Sequence, residues 1–600
     1  MIVKMQKVSV VCLADDCGRT LDALRELGVL HLVHERPPEG EALERAQTRL
    51  KDVRRVQEAL SAVTPADEPA AAAPPEKLVE QVLDLLRQRQ ELAERMAELR
   101  TECLRVEPFG SFDPRELARL SDAGVQVGLY QLPAGSPLPE VGEAVLQVLR
   151  SDKRGIYFVV VSRTPVEVAA QAVRPPESSL ADLRERLTAT ESESAELEDE
   201  LVRMAALRDR LKDLADRLED EAAYAAAQAG MGKHDALVYL RGYAPVESAD
   251  VLRRAAQQNG WAILLEQPAE DEPVPTLLRN PAWVRPIKAV FEMIGILPGY
   301  REVDISAAFL LFLSLFFAML IGDAGYGLLF LGLTWLARRK FPRAPVYYFR
   351  LLQIMSVCTV VWGALNGVYF GMQPAGLSFI TVPWLAEEHN VMLLCFFIGA
   401  THLTVAHLWN VARMWNTPRV LAQVGWICTT WTMLFAARTM VLGAPFPSFM
   451  FGVLAAGVAL IVLFMTPPRM LKHEWFNHVM LPLNLVGNFV DVVSYLRLFA
   501  VGAASLAVAS SFNTMALDLG AGVAPGVLRV LLGLAAALIL FFGHALNILL
   551  CAMGVLVHGV RLNTLEFSSH VGLQWSGQNY RPFARRAPAG AVAPVCTVED

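Results

Sequence analysis

Two regimes of polarity divide this sequence. Up to about residue 300, apolar positions are interleaved with Glu, Arg, Asp and Ala; beyond it, long apolar runs with few charges take over. In the first regime residues 8–13 predict a short strand. A helix follows through Leu21, Leu24 and Leu27, Gly28 stops it, and residues 29–33 give a second strand. A second α/β set is signalled by strands at 125–130 and 157–161. Charged helices run between the sets. Leu180, Leu183, Leu187, Leu197, Leu201, Met204, Leu207, Leu211, Leu214 and Leu218 recur mostly at steps of three and four, the seam of a coiled coil, weakened by Thr190 and Ser194. An earlier helix carries Leu78, Val82, Leu85, Leu92, Met96 and Leu99 with the same steps. Residues 180–218 contain neither Gly nor Pro, so the two helices read as an antiparallel stalk flanking a small lobe, rather than as two amphipathic helices on a globular core. Residues 71–75 and 174–176 punctuate the helix starts.

The second regime predicts eight membrane spans. The first two occupy roughly 305–338 and turn around residues 322–327. The others fall near 350–371, 391–412, 420–440, 448–466, 481–511 and 526–562. Basic clusters at Arg338, Arg339, Lys340 and Arg343, at Arg413 and Arg419, and at Arg469 and Lys472 alternate with a loop, 372–390, that has no Lys or Arg. The positive-inside rule then puts the N-terminal half and the tail (Arg581, Arg585, Arg586) in the cytoplasm, with Arg438 and Arg529 running against it. The expected fold is therefore two-part. Cytoplasmic α+β lobes (about 1–40 and 105–170, with a returning lobe 235–300) are joined by coiled-coil helices (about 41–103 and 177–225). An all-α domain of about eight transmembrane helices (301–570) and a cytoplasmic tail (571–600) follow.

Composition agrees with that division. The chain is 54% hydrophobic with a mean hydropathy of +0.35. Its net charge of −7 and the lack of a basic patch interleaved with aromatics argue against nucleic acid as a partner. The start of the chain has no long apolar region, so no signal peptide is expected. The eight cysteines are scattered and read as free thiols, not as disulfides or metal ligands. Gly230-Met231-Gly232-Lys233 lacks both the first Gly of a phosphate loop, where Ala227 stands, and the Ser or Thr after the Lys. No hydrolase, protease or kinase signature occurs. The expectation is no catalytic site, no cofactor and no metal.

The candidate chemistry lies in the last two spans. Arg497 stands deep inside the apolar run from Leu481 to Phe512. A charge at mid-bilayer costs about 3 kcal/mol on insertion scales, so it is expected to face a partner or a water path instead of lipid. At helical spacing from it lie Val490, Val493, Ala500, Val501, Ala504, Ser505 and Val508, a surface small enough for another helix to approach. In the eighth span His544, Asn547, Cys551, His558 and Arg561 form a polar stripe that fits the lining of a water-filled path. Apart from Asp491, near a span end, no carboxylate is read as lying well inside a span; Glu566 is placed at an end. Arginine does not deprotonate, so a titrating carboxylate is expected from a partner.

Ser494-Tyr495-Leu496-Arg497-Leu498, His558-Gly559-Val560-Arg561-Leu562 and Gly543-His544-Ala545-Leu546-Asn547 resemble motifs of a known family. So do residues 300–304, 322–327, 362–363 and 367–371, and more loosely 241–245 and 275–280. The chain resembles the membrane-embedded a subunit (subunit I) of V-type and archaeal-type rotary ATPases. That resemblance implies two ion half-channels, and Arg497 as the residue that deprotonates carboxylates of a rotating proteolipid ring, with Arg561 assisting. Ser505, His544, Asn547, Cys551, His558 and Asp491 are the candidate channel lining. It also implies ring subunits against the seventh and eighth spans and peripheral stalk subunits on the cytoplasmic domain. The localisation would be the cell membrane, with no ATP site on this chain. Ser505 and Cys551 stand where some relatives carry a histidine and a glutamate, so those roles are not carried over. The competing expectation is a secondary ion transporter with a cytoplasmic coiled-coil domain.

Overall fold

Apolar alternation from Met5 to Leu13 gives β1, with Met5, Val8, Val10 and Cys12 buried. α1 (Cys17–Leu27) follows and ends at Gly28, whose left-handed φ of 61° closes the helix without Cβ strain. The computed structural model describes residues 1–64, 74–342, 344–374, 376, 379–467, 469–519 and 526–585. Arg343, Arg586, Cys596 and residues 71–73 therefore lie outside the described residues.

The chain forms two units. One comprises Ser9–Gly242, Val251–Leu264 and the chain from Phe583; the other comprises Met1–Val8, Tyr243–Asp250 and Leu265–Pro582. In the first, β2 (His31–Val33), α2 (Glu41–Ser61), α3 (Pro75–Val106) and α4 (Pro114–Asp122) precede a four-stranded antiparallel sheet. Its strands are β3 (Gln126–Leu132), β4 (Val145–Asp152), β5 (Gly155–Ser162) and β6 (Gln171–Val173), in the order β4-β5-β3-β6. Leu129 pairs with Val159, and a bulge interrupts β4 between Val148 and Arg150. Then come α5 (Leu180–Ala205), α6 (Arg208–Ala229), β7 (Gly232–His234), β8 (Leu237–Pro245), α7 (Ala249–Asn259) and β9 (Ala262–Glu266). A second sheet has the order β2-β8-β1-β9, with β7 on β8.

The apolar run from Leu180 is two helices instead of one rod, interrupted at Ala206 and Leu207. The change of partner gives the reason: α5 packs on α3, whereas α6 packs on α2. The shared core contains Val53, Val56, Leu78, Val82, Leu201, Leu211 and Leu218. Thr190, inside the seam, satisfies its hydroxyl on the Arg186 carbonyl at 2.8 Å.

The other unit carries α8 (Lys288–Ile294), α9 (Ser306–Ile321), α10 (Ala324–Lys340), α11 (Val346–Asn366), α12 (Glu388–Arg413), α13 (Val420–Leu442) and α14 (Phe449–Phe464). These are followed by α15 (Leu471–Val479), α16 (Leu481–Ser494), α17 (Leu496–Asp518), α18 (Val527–Gly554) and α19 (Ser568–Val571). Five helical stretches are long and apolar enough to cross a membrane: Val346–Asn366, Glu388–Arg413, Val420–Leu442, Leu481–Asp518 and Val527–Val571. α9 and α14 are apolar but shorter, about 24 Å at 1.5 Å per residue. α9 is buried along most of its length and packs on α11 and α17.

One polar cluster in this unit, outside the apolar helices, gives a prediction. Glu272 accepts from Lys7 Nζ, from Tyr243 Oη at 3.2 Å and from the Ala269 amide at 3.3 Å. The Lys7 hydrogen bond, first of these, holds the Glu272 carboxyl below its ordinary range, while burial and then the Glu272 charge push Tyr243 up to about 12. A depressed carboxylate contributes stability above its unfolded pKa and loses it as pH falls through the folded value. Thermal stability is thus expected to fall on acidification below about pH 4.5, and Lys7→Met is expected to flatten that slope. An unchanged slope in Lys7→Met would contradict the assignment.

Candidate functional site

Arg497 lies one residue into α17, and its height is set from α12. Tyr495, between α16 and α17, is fully buried, and its hydroxyl meets His402 Nδ1 at 2.8 Å. The His402 ring is stacked between Phe312 (centroids 3.9 Å) and Phe567 (4.3 Å). Gly399, one turn before His402, leaves room for Tyr495; a Cβ there would fall 2.6 Å from the tyrosine ring. Arg497 Nε donates to the Ser494 carbonyl at 3.1 Å, which turns the end of the guanidinium towards the last helix.

There it meets a carboxylate of its own chain. Arg497 Nη2 donates to Glu566 Oε1 at 2.7 Å, and Arg561 Nε lies 3.5 Å from the same oxygen. The Glu566 side chain is 4% exposed, against 24% for Arg497 and 54% for Arg561. The sequence left Glu566, near the end of the last span, without a role; here it is the ion-pair partner of Arg497 within the chain. The helix continues past residue 562 to Val571 through two π-helical turns, Val555–Gly559 and Leu562–Phe567. In an α-helix, residues five apart point about 140° away from each other. A π turn brings i and i+5 together, so Arg561 and Glu566 share a side. The site holds two cations and one anion, and Glu566 Oε2 is buried with no hydrogen-bond partner among the described residues.

Arg497 also borders an outward face. Leu483, Val486, Val490, Ala500, Ala504 and Ala507 are exposed at steps of a helical stripe that passes through it. Of the residues expected beside it, Ser505 turns inward and is buried.

Two polar groups flank the arginines in chain order. Beyond Arg497 on α17 and before Arg561 on α18, Asn547 Nδ2 donates to the Ser505 carbonyl (3.0 Å) and to Tyr326 Oη (3.1 Å). Tyr326 Oη meets His544 Nδ1 at 2.7 Å, His544 Nε2 meets Asn513 Oδ1 at 3.1 Å, and Ser505 Oγ lies 3.1 Å from Cys551 Sγ. Asp323 anchors this group, accepting from the amides of Tyr326 (3.1 Å), Phe370 (2.9 Å) and Gly371 (2.7 Å). On the opposite flank Asp491 of α16 meets His570 of α19 at 3.0 Å. So the structure joins Ser505, His544, Asn547 and Cys551, pairs Arg497 with Arg561 through Glu566, and sets Asp491 apart from both groups. His558 is half-buried, and its Nδ1 has no hydrogen-bond partner among the described residues.

No protein-family model matches the chain. It is 32% identical to V-type ATP synthase subunit I 1 of Treponema pallidum, over 98% of this chain and 100% of that protein. The chain belongs to the subunit I family of V-type and A-type ATP synthases. It is also 34% identical to V-type ATP synthase subunit I of Borreliella burgdorferi over 63% of this chain and 65% of that protein. With the A-type ATP synthase subunit I of Methanocaldococcus jannaschii it shares 25% over 68% and 64%. A crystal structure of the cytoplasmic N-terminal domain of subunit I, homolog of subunit a, of V-ATPase aligns with 43% of this chain and 99% of that one. Its 18% identity and TM-score of 0.21 carry no argument about fold. Membership in the subunit I family, together with five apolar helices of spanning length, makes the chain a multi-pass membrane protein and a component of a larger ATP synthase complex.

Sequence reasoning gave no role at the site to Glu566, Tyr326, Asn513, His402, His407 or His570. For Tyr326 the Gly322–Gly327 turn was a signal, because Asp323 caps α10 there. For Glu566 a 3.6-residue period gives none.

Proposed function

We propose that this subunit I chain is the stator of a rotary ATPase and supplies its ion half-channels and the arginine that deprotonates ring carboxylates. The observation that carries this reading is a surplus of positive charge on an outward face. Arg497 and Arg561 share one Glu566 oxygen, and exposed Val490, Ala500 and Ala504 border Arg497. A carboxylate carried through lipid stays protonated; brought to about 4 Å from a fixed cation it ionises, with an attraction on the order of 4 kcal/mol at an effective dielectric of about 20. Arg497 would also keep the two half-channels apart. Ser505, His544, Asn547 and Cys551 would line one, with Asp491 on the other side and His558 between. This arrangement is supported by the chain order of the two polar groups around the arginines.

The remaining organisation follows the same reading. Eight spans over 301–570 present the seventh and eighth to a proteolipid ring, within the cell membrane. Residues 1–300 lie in the cytoplasm as lobes joined by an antiparallel coiled coil, which the α3–α5 and α2–α6 pairs support, and bind peripheral stalk subunits; 571–600 form a cytoplasmic tail. The buried Glu566 gives the competing transporter reading the intramembrane carboxylate it lacked. The deciding experiment is ATP-driven ion uptake by vesicles holding the intact complex with Arg497→Ala, with assembly and ATP hydrolysis followed in parallel. Uptake should vanish while the complex assembles. Uptake near the parent rate would overturn the proposal, and a chain that transports without ring subunits would favour the transporter.

A further inference from the structure

We propose that Asp491, His570 and His407 form a proton relay, with Gln423 holding its far end, on the Glu566 flank of the arginine site. The proposal rests on the ion-translocation reading and specifies its ion as H⁺. The groups lie in line. Asp491 Oδ2 is 3.0 Å from His570 Nε2, His570 Nδ1 is 3.0 Å from His407 Nε2, and His407 Nδ1 is 2.8 Å from Gln423 Oε1. Asn410 Nδ2 fixes the His570 carbonyl at 2.8 Å. His407 is 3% exposed and His570 10%, while Asp491 at 27% is the open end. Glu566 precedes His570 by one turn of the same helix. His402 precedes His407 on α12, and Tyr495 follows Asp491 at the α16–α17 junction.

Proton counting shows what the string does. Gln423 Oε1 only accepts, so His407 Nδ1 carries hydrogen and a neutral His407 must accept at Nε2. His570 Nδ1 therefore donates. An ionised Asp491 also only accepts, so hydrogen lies at His570 Nε2 as well. The string thus holds one proton beyond two neutral histidines and a carboxylate, shared by His570 and Asp491. Turning the Gln423 amide over reverses the two inner donors. The amide then donates to His407 Nδ1, His407 Nε2–H donates to His570 Nδ1, and His570 Nε2–H still donates to Asp491. Every bond is kept and the extra proton is gone. A buried string with two complete arrangements one proton apart can load and release without leaving a polar group unpaired.

In transfer, the Asp491 O–H bond breaks as N–H forms at His570 Nε2. The His570 Nδ1–H bond breaks as N–H forms at His407 Nε2, and the His407 Nδ1 proton passes to a water molecule at the Gln423 end while the Gln423 amide turns over to donate to the bared nitrogen. One proton enters, one leaves, and no electrons move. Gln423 lies in the first turn of α13, close in sequence to Arg413 and Arg419, the basic loop assigned to the cytoplasmic side. Imidazole and carboxylate at these spacings pass protons; a metal cation has no path along them.

The test uses vesicles of the intact complex with His407→Gln and His570→Gln, and Arg497→Ala as reference. Glutamine keeps one donor and one acceptor, so a structural role survives it and a relay does not. The expected result is a ten-fold or greater fall in ATP-driven H⁺ uptake in both histidine variants with the complex assembled. Parent-like uptake in both histidine variants, with Arg497→Ala inactive, overturns the relay and leaves the arginine reading standing. Uptake retained in Arg497→Ala overturns the reading beneath it. Loss of assembly in a histidine variant overturns the relay in favour of a structural role.

Discussion

Glu566→Gln is expected to abolish coupled ion transport and to lower the stability of the membrane unit by about 3 kcal/mol. Breaking a buried ion pair from one side costs roughly 3–5 kcal/mol, because the remaining charge stays desolvated. The lower end applies here because Arg497 is partly exposed and Arg561 largely so. The neutral amide keeps the volume of the side chain, so the loss reports charge and not packing. Without the carboxylate, Arg497 and Arg561 repel each other and Arg497 no longer has a fixed resting position. The check is thermal unfolding of the purified complex together with ATP-driven uptake. An unchanged midpoint with parent-like uptake would show that Glu566 neither holds the arginines nor bears on transport. Glu566→Asp, which retains the charge on a shorter arm, should recover stability better than transport.

The second large effect is steric. A Cβ on Gly363 of α11 would lie 2.0 Å from the Ala324 amide nitrogen and 2.6 Å from the Asp323 carbonyl carbon. Both are backbone atoms and cannot swing aside. The displaced segment is the turn where Asp323 gathers the Tyr326, Phe370 and Gly371 amides. Gly363→Ala should therefore exceed the 1–3 kcal/mol usual for overpacking and disturb the Tyr326–His544 group beyond it. Little folded protein is expected, read as yield and protease resistance in detergent. Gly332 on α10 faces open space, so Gly332→Ala should be neutral or slightly stabilising. Equal behaviour of the two variants would contradict the steric account.

What could be read from sequence follows a physical division between local and non-local information. Strands at 8–13 and 157–161 and the Gly28 stop are local, set by alternation and by a left-handed turn, and they appear as β1, β5 and the end of α1. The break at Leu207 was not legible, because its cause is a change of partner from α3 to α2. Arg497 was conspicuous because a charge in an apolar run is costly wherever its partner lies. Its partner was not, since Glu566 follows 69 positions later and faces the site through a π turn. The His407–His570 contact, 163 positions apart, leaves no trace in any window of the chain.

The two π turns of the last helix have a consequence for length changes. Each wide turn accommodates about one residue more than an α-helix would use over the same rise. Deleting one residue between Val555 and Phe567 would let that stretch relax to ordinary helix with its backbone bonds intact. Everything beyond would then keep its phase, because an i→i+4 turn replaces an i→i+5 turn over the same rise, and His570 would stay beside Asp491 as His544 and Asn547 stay in place. A shortened chain of this kind would insert and pack as a helix with both polar flanks in register, whereas the same deletion in a regular α-helical stretch would turn everything beyond by about 100°.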